Sequence, residues 1–168
     1  MNEDEYDEAV EDIFLKTSVL RIEKYEAWND YRVVVFDDEI ISAYQRVPLS
    51  VTGDGIHTIR ELVEIKQDVF IRDGRDTEID ITDPRMRIVL ERRGYSLDTI
   101  AKKMEEVPLL DNANLSSGGE SIDVTETLHE DFRKIAINAT RDMWLRLCGV
   151  DMIVWDITKS LAENGEKY

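Results

Sequence analysis

Charged and aromatic residues cluster around the start of one predicted strand, where they could bind a ligand. Glu23, Lys24 and Tyr25 end one predicted strand, and Asp30 and Arg32 follow at a loop and at the start of the next strand. Alternating charges at a strand edge are also typical of a solvated surface. The spacing of these residues leaves both interpretations open.

One arginine and one Gly-rich loop provide two further candidate sites. Arg46 ends the second strand of a predicted hairpin, near a Gly-rich turn. Asn112, Asn114 and the pair Gly118-Gly119 lie in a polar loop, where asparagine side chains donate and accept hydrogen bonds and glycine lets a ligand approach the backbone. The alternatives are a surface arginine and an ordinary connecting loop.

A single carboxylate, that of Asp151, interrupts an otherwise apolar strand predicted at residues 150–156. An acid at this position either faces solvent or is paired, because burial without a cation or a donor costs several kcal/mol. Carboxylate oxygens suit Mg²⁺, which commonly bridges a few carboxylates and substrate phosphates. Asp151 is therefore a candidate magnesium ligand.

The composition favours one soluble domain. The chain has 168 residues, and 37 acids against 21 bases give a net charge of -16. No apolar run approaches the roughly 20 residues that a bilayer crossing needs. The negative charge repels phosphate backbones, which argues against nucleic-acid binding. We therefore expect a cytoplasmic protein without membrane or nucleic-acid partners, in which specific arginines or a metal ion meet any anionic ligand.

The remaining reactive residue types have structural interpretations. Cys148 is the only cysteine of the sequence, so it can form neither an internal disulfide nor a zinc cluster, and we interpret it as a small core residue. His57 and His129 stand beside predicted helix starts, where capping or packing is the usual role. No Walker-type loop, Rossmann fingerprint or serine-elbow motif occurs.

An acidic helix and short strands are predicted for the first part of the chain. The helix ends near residue 16, and strands follow at residues 19–25, 31–36 and 40–46. An acidic turn of hairpin length joins the last two strands. This pattern predicts an antiparallel sheet.

Helices are predicted for the middle of the chain. Thr58 and Glu61 have the spacing of a capping box, and Asp83-Pro84 combines an N-cap acid with proline at the first helical position. Apolar residues within 97–104 suggest a third, short helix. The stretch 56–106 is therefore predicted to be a small helical insert.

One more helix and a strand complete the pattern. A capping box at residues 127–130 predicts the helix start, and Gly149 its end. The predicted buried stripe of this helix consists of Phe132, Ile135, Ala136, Ala139, Met143 and Leu147. Strands and helices do not alternate regularly, which favours an α+β fold over a doubly wound parallel sheet.

Several short motifs follow one another in a characteristic order. They are Ile-Glu-Lys-Tyr, Asn-Asp-Tyr-Arg-Val-Val-Val, Gln-Arg-Val-Pro, Val-Thr-Gly-Asp-Gly, Asn-Ala-Asn-Leu-Ser-Ser-Gly-Gly, Ile-Asp-Val-Thr and Gly-Val-Asp. Their order resembles the ATP-grasp domain of carboxylate-amine ligases, and is most similar to cyanophycin synthetase, bifunctional glutathione synthetase and N-acetylglutaminylglutamine amide synthetase. The resemblance implies a single partial ATP-grasp domain over residues 1–168, with an antiparallel sheet flanked by helices and the insert at 56–106.

The resemblance implies ATP and Mg²⁺ as cofactors. Glu23, Lys24 and Tyr25 match the segment that meets the adenine, and Asp30 matches the acid that hydrogen-bonds the ribose. Asp151 matches the first of the acidic Mg²⁺ ligands.

Three other positions match residues of the reaction centre. Arg32 and Arg46 match positions that face phosphate or a substrate carboxylate, where guanidinium groups fit anions well. Asn114 matches an asparagine near the phosphates and the metal. In such ligases a carboxylate attacks the γ-phosphate of ATP to give an acyl phosphate, which an amine converts to an amide. Catalysis there consists mainly of positioning and charge neutralisation.

The chain also departs from the family pattern. The family has a lysine on a strand ahead of this segment and a Glu-x-Asn metal motif after the Asp151 strand, and neither has a counterpart here. We therefore expect a segment of an ATP-dependent ligase for amino-acid or peptide substrates that is inactive by itself, and the resemblance leaves a homo-oligomer open. The alternative is a non-catalytic nucleotide-binding or protein-interaction module that retains the fold.

Overall fold

The computed structural model of the chain describes residues 3–22 and 28–165. Within these ranges the helices are α1 (Glu3–Phe14), α2 (Ile59–Arg72), α3 (Pro84–Arg92) and α4 (Glu130–Asp142). The strands are β1 (Asn29–Phe36), β2 (Glu39–Val47), β3 (Ser50–Thr52), β4 (Glu106–Pro108), β5 (Glu120–Asp123) and β6 (Leu147–Val154). The α+β class predicted from the sequence is confirmed. None of the helices in the described ranges has the length and apolarity needed to cross a membrane.

The main sheet has four antiparallel strands in the order β5-β2-β1-β6. β1 pairs along its length with both β2 and β6. The predicted hairpin is confirmed, and its turn consists of Asp37 and Asp38, which have φ values of 45° and 68°. Two consecutive positive φ values are characteristic of the two-residue turn that matches the twist of a hairpin. The central position of β1 gives its side chains neighbours on both sides.

One face of this sheet packs against α4. Alternate residues of β1 point to this face, because side chains alternate along a strand. The buried cluster consists of Tyr31, Val33, Val35, Ala43, Leu128, Phe132, Ala136, Met152 and Ile157. Full burial of an aliphatic or aromatic side chain stabilises a fold by about 1.5–3 kcal/mol. This core holds the strands in register. The opposite face of the sheet, called the open face below, carries partly exposed side chains such as Arg32 and Asp151.

The chain segment between β2 and β5 forms a second apolar core. It contains Leu49, Val51, Ile59, Leu62, Val63, Phe70, Ile79, Met86, Leu90, Ala101, Val107, Leu109 and Leu110. These residues come from α2, α3, the two-stranded sheet β3-β4 and their connections. The predicted insert at 56–106 supplies most of this core, and its boundaries stay a prediction.

The predicted helix starts at Thr58 and Asp83 are confirmed. The Thr58 hydroxyl accepts the amide of Glu61, and the Glu61 carboxylate accepts the amide of Thr58 at 2.7 Å. The Asp83 carboxylate accepts the amide of Arg85, with Pro84 in the first turn of α3. Each of these contacts satisfies an amide that the helix itself leaves free.

The prediction of a third helix at residues 97–104 is wrong. The segment forms turns instead, because its carbonyl groups bind another part of the chain. The carbonyls of Leu97 and Thr99 accept the amides of Arg60 and Ile59. A carbonyl committed to a distant amide no longer supports the regular ladder of a helix.

The predicted strand at residues 19–25 is not observed where it can be assessed. Residues 19–22 have no strand conformation, and residues 23–25 lie outside the described part of the chain.

The predicted capping box at residues 127–130 is also wrong. His129 caps α4, with its Nδ1 atom accepting the amide of Asp131 at 3.2 Å. This is the capping role expected for a histidine beside a helix start.

The predicted end of α4 at Gly149 is wrong as well. The helix ends at Asp142, and Trp144 turns the chain with a φ of 57°. Strand β6 then begins at Leu147, because residues 147–154 form hydrogen bonds along the whole length of β1. Met143 and Leu147 are consequently 66% and 60% exposed and do not belong to a buried helix stripe. Of the predicted stripe, the structure buries Phe132 and Ala136.

Asp54 and His57 form an exposed ion pair just ahead of α2. His57 Nδ1 lies 2.6 Å from Asp54 Oδ2, and this contact raises the pKa of His57 above its ordinary value of 6.5. A raised pKa in the folded state stabilises the fold at pH values below the unfolded pKa, and this contribution is lost as the pH rises through the folded pKa. NMR titration should give a His57 pKa above the ordinary value. The Asp54→Asn variant should bring the His57 pKa back toward the ordinary value. An unchanged His57 titration in this variant would contradict the pairing.

Candidate functional site

The sheet face opposite α4 carries charged and polar residues on three adjacent strands. The register places Arg32 of β1 between Tyr44 of β2 and Asp151 of β6. It places Asp30 of β1 beside Arg46 of β2. Side chains two residues apart on a strand share a face. The fold therefore brings together four residues that the sequence analysis identified separately, namely Asp30, Arg32, Arg46 and Asp151.

Arg32 and Asp151 form a two-point ion pair. Arg32 Nε lies 2.7 Å from Asp151 Oδ1, and Arg32 Nη2 lies 2.8 Å from Asp151 Oδ2. Parallel donors facing both carboxylate oxygens give a strong and well-oriented contact. The pair fixes the direction of both side chains across the strands β1 and β6.

Arg46 links the two acids of the cluster. Its Nη2 atom lies 2.6 Å from Asp30 Oδ1 and 3.4 Å from Asp151 Oδ2. Its side chain is 15% exposed, against 31% for Asp30 and 46% for Asp151. Arg46 Nε is buried, and within the described residues it has no hydrogen-bond partner. A buried donor without an acceptor is costly, so a ligand oxygen that displaced the covering atoms would offer this donor a favourable partner.

The charge states of the Arg32–Asp151 pair follow from these contacts. The hydrogen bond from Arg32 is the main cause that lowers the pKa of Asp151, and the nearby Arg46 charge adds to it. The same hydrogen bond raises the pKa of Arg32. Both groups therefore stay charged across the neutral and mildly acidic range. The cluster combines two acids with two bases, although the whole chain is strongly acidic.

Gly149 is a residue whose role the sequence analysis missed. It lies in β6 opposite Val34, on the open face. A Cβ atom at this position would lie 3.3 Å from Arg32 Cδ, closer than ordinary van der Waals contact. Glycine therefore leaves the space in which Arg32 reaches Asp151. The pattern around Gly149 predicts a helix end, and the strand register is what shows that Gly149 lies close to Arg32.

Tyr44 was also missed as a member of this face. Its position in β2 lies opposite Arg32 and, on the other side, opposite Asp123 of β5. The period of two along β2 would have predicted it, because Tyr44 and Arg46 share a face. Its ring gives the charged cluster an aromatic neighbour.

Asn114 lies in the loop that precedes β5. It stands at the start of a short 3₁₀ turn, Leu115–Ser117, and its side chain makes no capping bond there. Asn114 is exposed, whereas Gly118 and Gly119 are buried. A Cβ at Gly119 would lie 2.9 Å from the carbonyl oxygen of Asn114 and 3.0 Å from that of Val47. The loop therefore packs tightly against the end of β2, one residue beyond Arg46.

The remaining predicted site residues are the adenine-binding segment and the magnesium ligand. Glu23, Lys24 and Tyr25 lie outside the described residues. For Asp151, both carboxylate oxygens accept bonds from Arg32. No group of three or more His, Cys, Asp or Glu side chains in the ranges 3–22 and 28–165 could hold a metal ion. The described residues thus do not form a complete magnesium site.

Comparison with known proteins gives one consistent result. No protein-family model matches the chain. The chain is 40% identical over 155 residues to the glutathione biosynthesis bifunctional protein of Listeria monocytogenes, covering 90% of this chain and 20% of that protein. It is 33% identical over 166 residues to the corresponding protein of Pasteurella multocida, covering 97% of this chain and 22% of that protein.

The fold comparison agrees with the sequence comparison. The crystal structure of a bifunctional glutathione synthetase from Pasteurella multocida matches with a TM-score of 0.67 and 31% identity, over 95% of this chain and 22% of that one. The chain therefore spans about a fifth of the length of the curated relatives it matches.

Proposed function

We propose that this chain, an ATP-grasp carboxylate-amine ligase segment by sequence and fold, forms one wall of the site at which ATP activates a carboxylate. The observation that carries the proposal is the cluster of Asp30, Arg32, Arg46 and Asp151 on the open face of the sheet. Two arginines and two acids on adjacent strands suit a ligand that combines phosphates, hydroxyl groups and a bound cation.

The proposed reaction has two steps. A carboxylate oxygen of the first substrate attacks the γ-phosphorus of ATP, the bond to the bridging oxygen breaks, and ADP leaves. The nitrogen of an amine then attacks the acyl carbon, inorganic phosphate leaves with the electrons of the carbon–oxygen bond, and the nitrogen loses a proton. The product is an amide or peptide bond. Amino-acid or small-peptide substrates fit this chemistry and the similarity to glutathione-forming relatives.

The arginines have distinct roles in this proposal. Among residues 3–22 and 28–165, no atom accepts the N–H of Arg46 Nε, so a phosphate or carboxylate oxygen that reached it would accept this hydrogen bond. Arg32 holds Asp151 and stabilises charge in the same region. Preorganised donors of this kind stabilise the negative charge that develops during phosphoryl transfer. Asp30, as an acceptor, would bind the ribose hydroxyls, and the exposed amide of Asn114 would contact the phosphates.

Asp151 would supply one oxygen ligand to Mg²⁺, with other ligands coming from phosphates and from groups beyond those described. Mg²⁺ supplies charge neutralisation between phosphate oxygens. Because Arg32 occupies both oxygens of Asp151, this side chain must share or yield one of them. Because both Asp151 oxygens are bound to Arg32 in the chain alone, we propose that the chain by itself does not turn over substrate.

Calorimetric titration with MgATP tests the proposed site directly. We expect the chain to bind MgATP and the Asp30→Asn variant to bind it at least about tenfold more weakly, the loss typical of one hydrogen bond to a charged group. Asp98→Asn is the matched control, because Asp98 has an 82% exposed side chain in the insert. We expect no ADP release by the chain alone in the presence of donors and amines. Absence of nucleotide binding, or equal binding by the Asp30→Asn variant, would contradict the proposal.

A further inference from the structure

An arginine of the insert holds the Asn114 loop from outside the sheet. Arg75 Nη2 donates to the carbonyl oxygen of Gly119 at 2.8 Å and to that of Leu115 at 3.3 Å. Leu115 begins the 3₁₀ turn that follows Asn114, and Gly119 ends the loop after this turn. One guanidinium thus ties together the two ends of the loop.

The position of Arg75 is itself fixed by the insert. Its guanidinium lies 3.8 Å from the centroid of the Phe70 ring, and Phe70 is 3% exposed in the second core. Stacking of a guanidinium on an aromatic face is favourable and restricts its orientation. The amide of Arg75 also donates to the carbonyl of Phe70 at 2.9 Å. The anchor is therefore rigid on the insert side.

A second set of contacts strengthens the same attachment. Thr77 Oγ1 donates to the carbonyl of Leu115 at 3.3 Å. Gln67 of α2 donates to the carbonyl of Thr77 and accepts the amide of Ile79, at 3.1 Å and 2.7 Å. The nitrogen and the oxygen of the Gln67 side-chain amide thus both bind the segment after α2. These two bonds keep Thr77 within hydrogen-bond distance of the loop.

The start of β5 is attached to the insert as well. Lys66 Nζ of α2 donates to the carbonyl of Ser50 at 2.8 Å and lies 3.2 Å from Glu120 Oε2. Glu120 directly follows Gly119 and pairs with Val47 of β2. The insert therefore contacts the loop and the neighbouring strand through side chains from α2 and from the segment after it.

We propose that Arg75 is a positioning residue of the nucleotide site: it transmits the rigid geometry of the insert core to the loop that presents Asn114. The inference rests on the proposed function for its ligand and on contacts of the described residues for its geometry. Held by Arg75, the loop keeps one conformation before a ligand arrives, so binding pays no cost for ordering it. The insert then acts as a support for the site.

Hydrogen exchange measures the loop independently of any ligand. The amides of Ser117 and Gly119 donate to the carbonyl of Asn114, so their protection reports the loop conformation. We expect Arg75→Ala to increase exchange at these two amides about tenfold or more, the loss typical of hydrogen bonds to a charged group. The amides of β1 should be unchanged. Arg72→Ala is the matched control, since exposed Arg72 donates locally to the Asp68 carbonyl of its own helix.

A parallel titration with MgATP connects the loop to the site. We expect Arg75→Ala to weaken MgATP binding about tenfold. Arg75→Lys keeps the charge but loses the planar pair of donors, so it should recover part of the loss. Unchanged exchange at the Ser117 and Gly119 amides in Arg75→Ala would overturn the inference. If the wild type binds MgATP, equal affinity of Arg75→Ala would overturn it as well. If the wild type binds no MgATP but exchange rises as expected, the proposed function fails and the support of the loop by Arg75 stands.

Discussion

Replacement of Arg46 by methionine is expected to abolish detectable MgATP binding and to lower the free energy of unfolding by about 2–3 kcal/mol. Arg46 is the least exposed member of the charged cluster, and it contacts both Asp30 and Asp151. Methionine retains an apolar stem but no charge. The carboxylate of Asp30 then loses its cation in a partly desolvated position, which is the costly way to break an ion pair. Urea denaturation and calorimetric titration measure the two effects.

The Arg87→Met variant is the control for this prediction. Arg87 lies on α3, has a 62% exposed side chain and pairs with Glu91 one turn away. Exposed pairs of this kind contribute about 0.3–0.5 kcal/mol, so we expect little change in stability and none in nucleotide binding. If Arg46→Met and Arg87→Met behaved alike, the central position of Arg46 in the site would be wrong.

Replacement of Gly119 by alanine is expected to destabilise the chain by about 3 kcal/mol and to displace the Asn114 loop. The added Cβ would lie 2.9 to 3.0 Å from the carbonyl oxygens of Asn114, Ala113 and Val47. Backbone atoms cannot move aside as a flexible side chain can, so this substitution overpacks a rigid site. The displaced loop would also move the Gly119 carbonyl away from Arg75.

Gly74→Ala separates crowding from backbone conformation. Gly74 has a φ of 72° with no heavy atom within 4 Å of an added Cβ. Alanine there costs about 1 kcal/mol through the left-handed backbone alone. Denaturation curves of both variants, with hydrogen exchange at Ser117, complete the comparison. A Gly119→Ala variant as stable as Gly74→Ala, with unchanged loop protection, would refute the close packing of the loop on β2.

Much of the fold could be predicted from local patterns. The hairpin of β1 and β2 and the helix starts at Thr58 and Asp83 each depend on a few adjacent residues, so short-range chemistry was sufficient. The third predicted helix failed because its carbonyls bind the distant amides of Ile59 and Arg60. No periodicity within residues 97–104 reveals such a partner.

The candidate site could be predicted as a set of residues but not as an arrangement. The family resemblance pointed to Asp30, Arg32, Arg46 and Asp151 individually. Their ion pairs depend on the register of β1 against β2 and β6. The Arg32–Asp151 pair alone joins positions 119 residues apart. For the same reason Gly149 was assigned to a helix end, although its lack of a side chain makes room for Arg32.

The most direct test of this account is a crystal structure of the chain with Mg²⁺ and a non-hydrolysable ATP analogue. We predict that the analogue lies on the open face of the main sheet, with its ribose hydroxyls within hydrogen-bond distance of Asp30 and a phosphate oxygen accepting from Arg46 Nε. An analogue bound on the α4 side or within the insert, with the Arg46 and Asp30 contacts unchanged, would contradict the account.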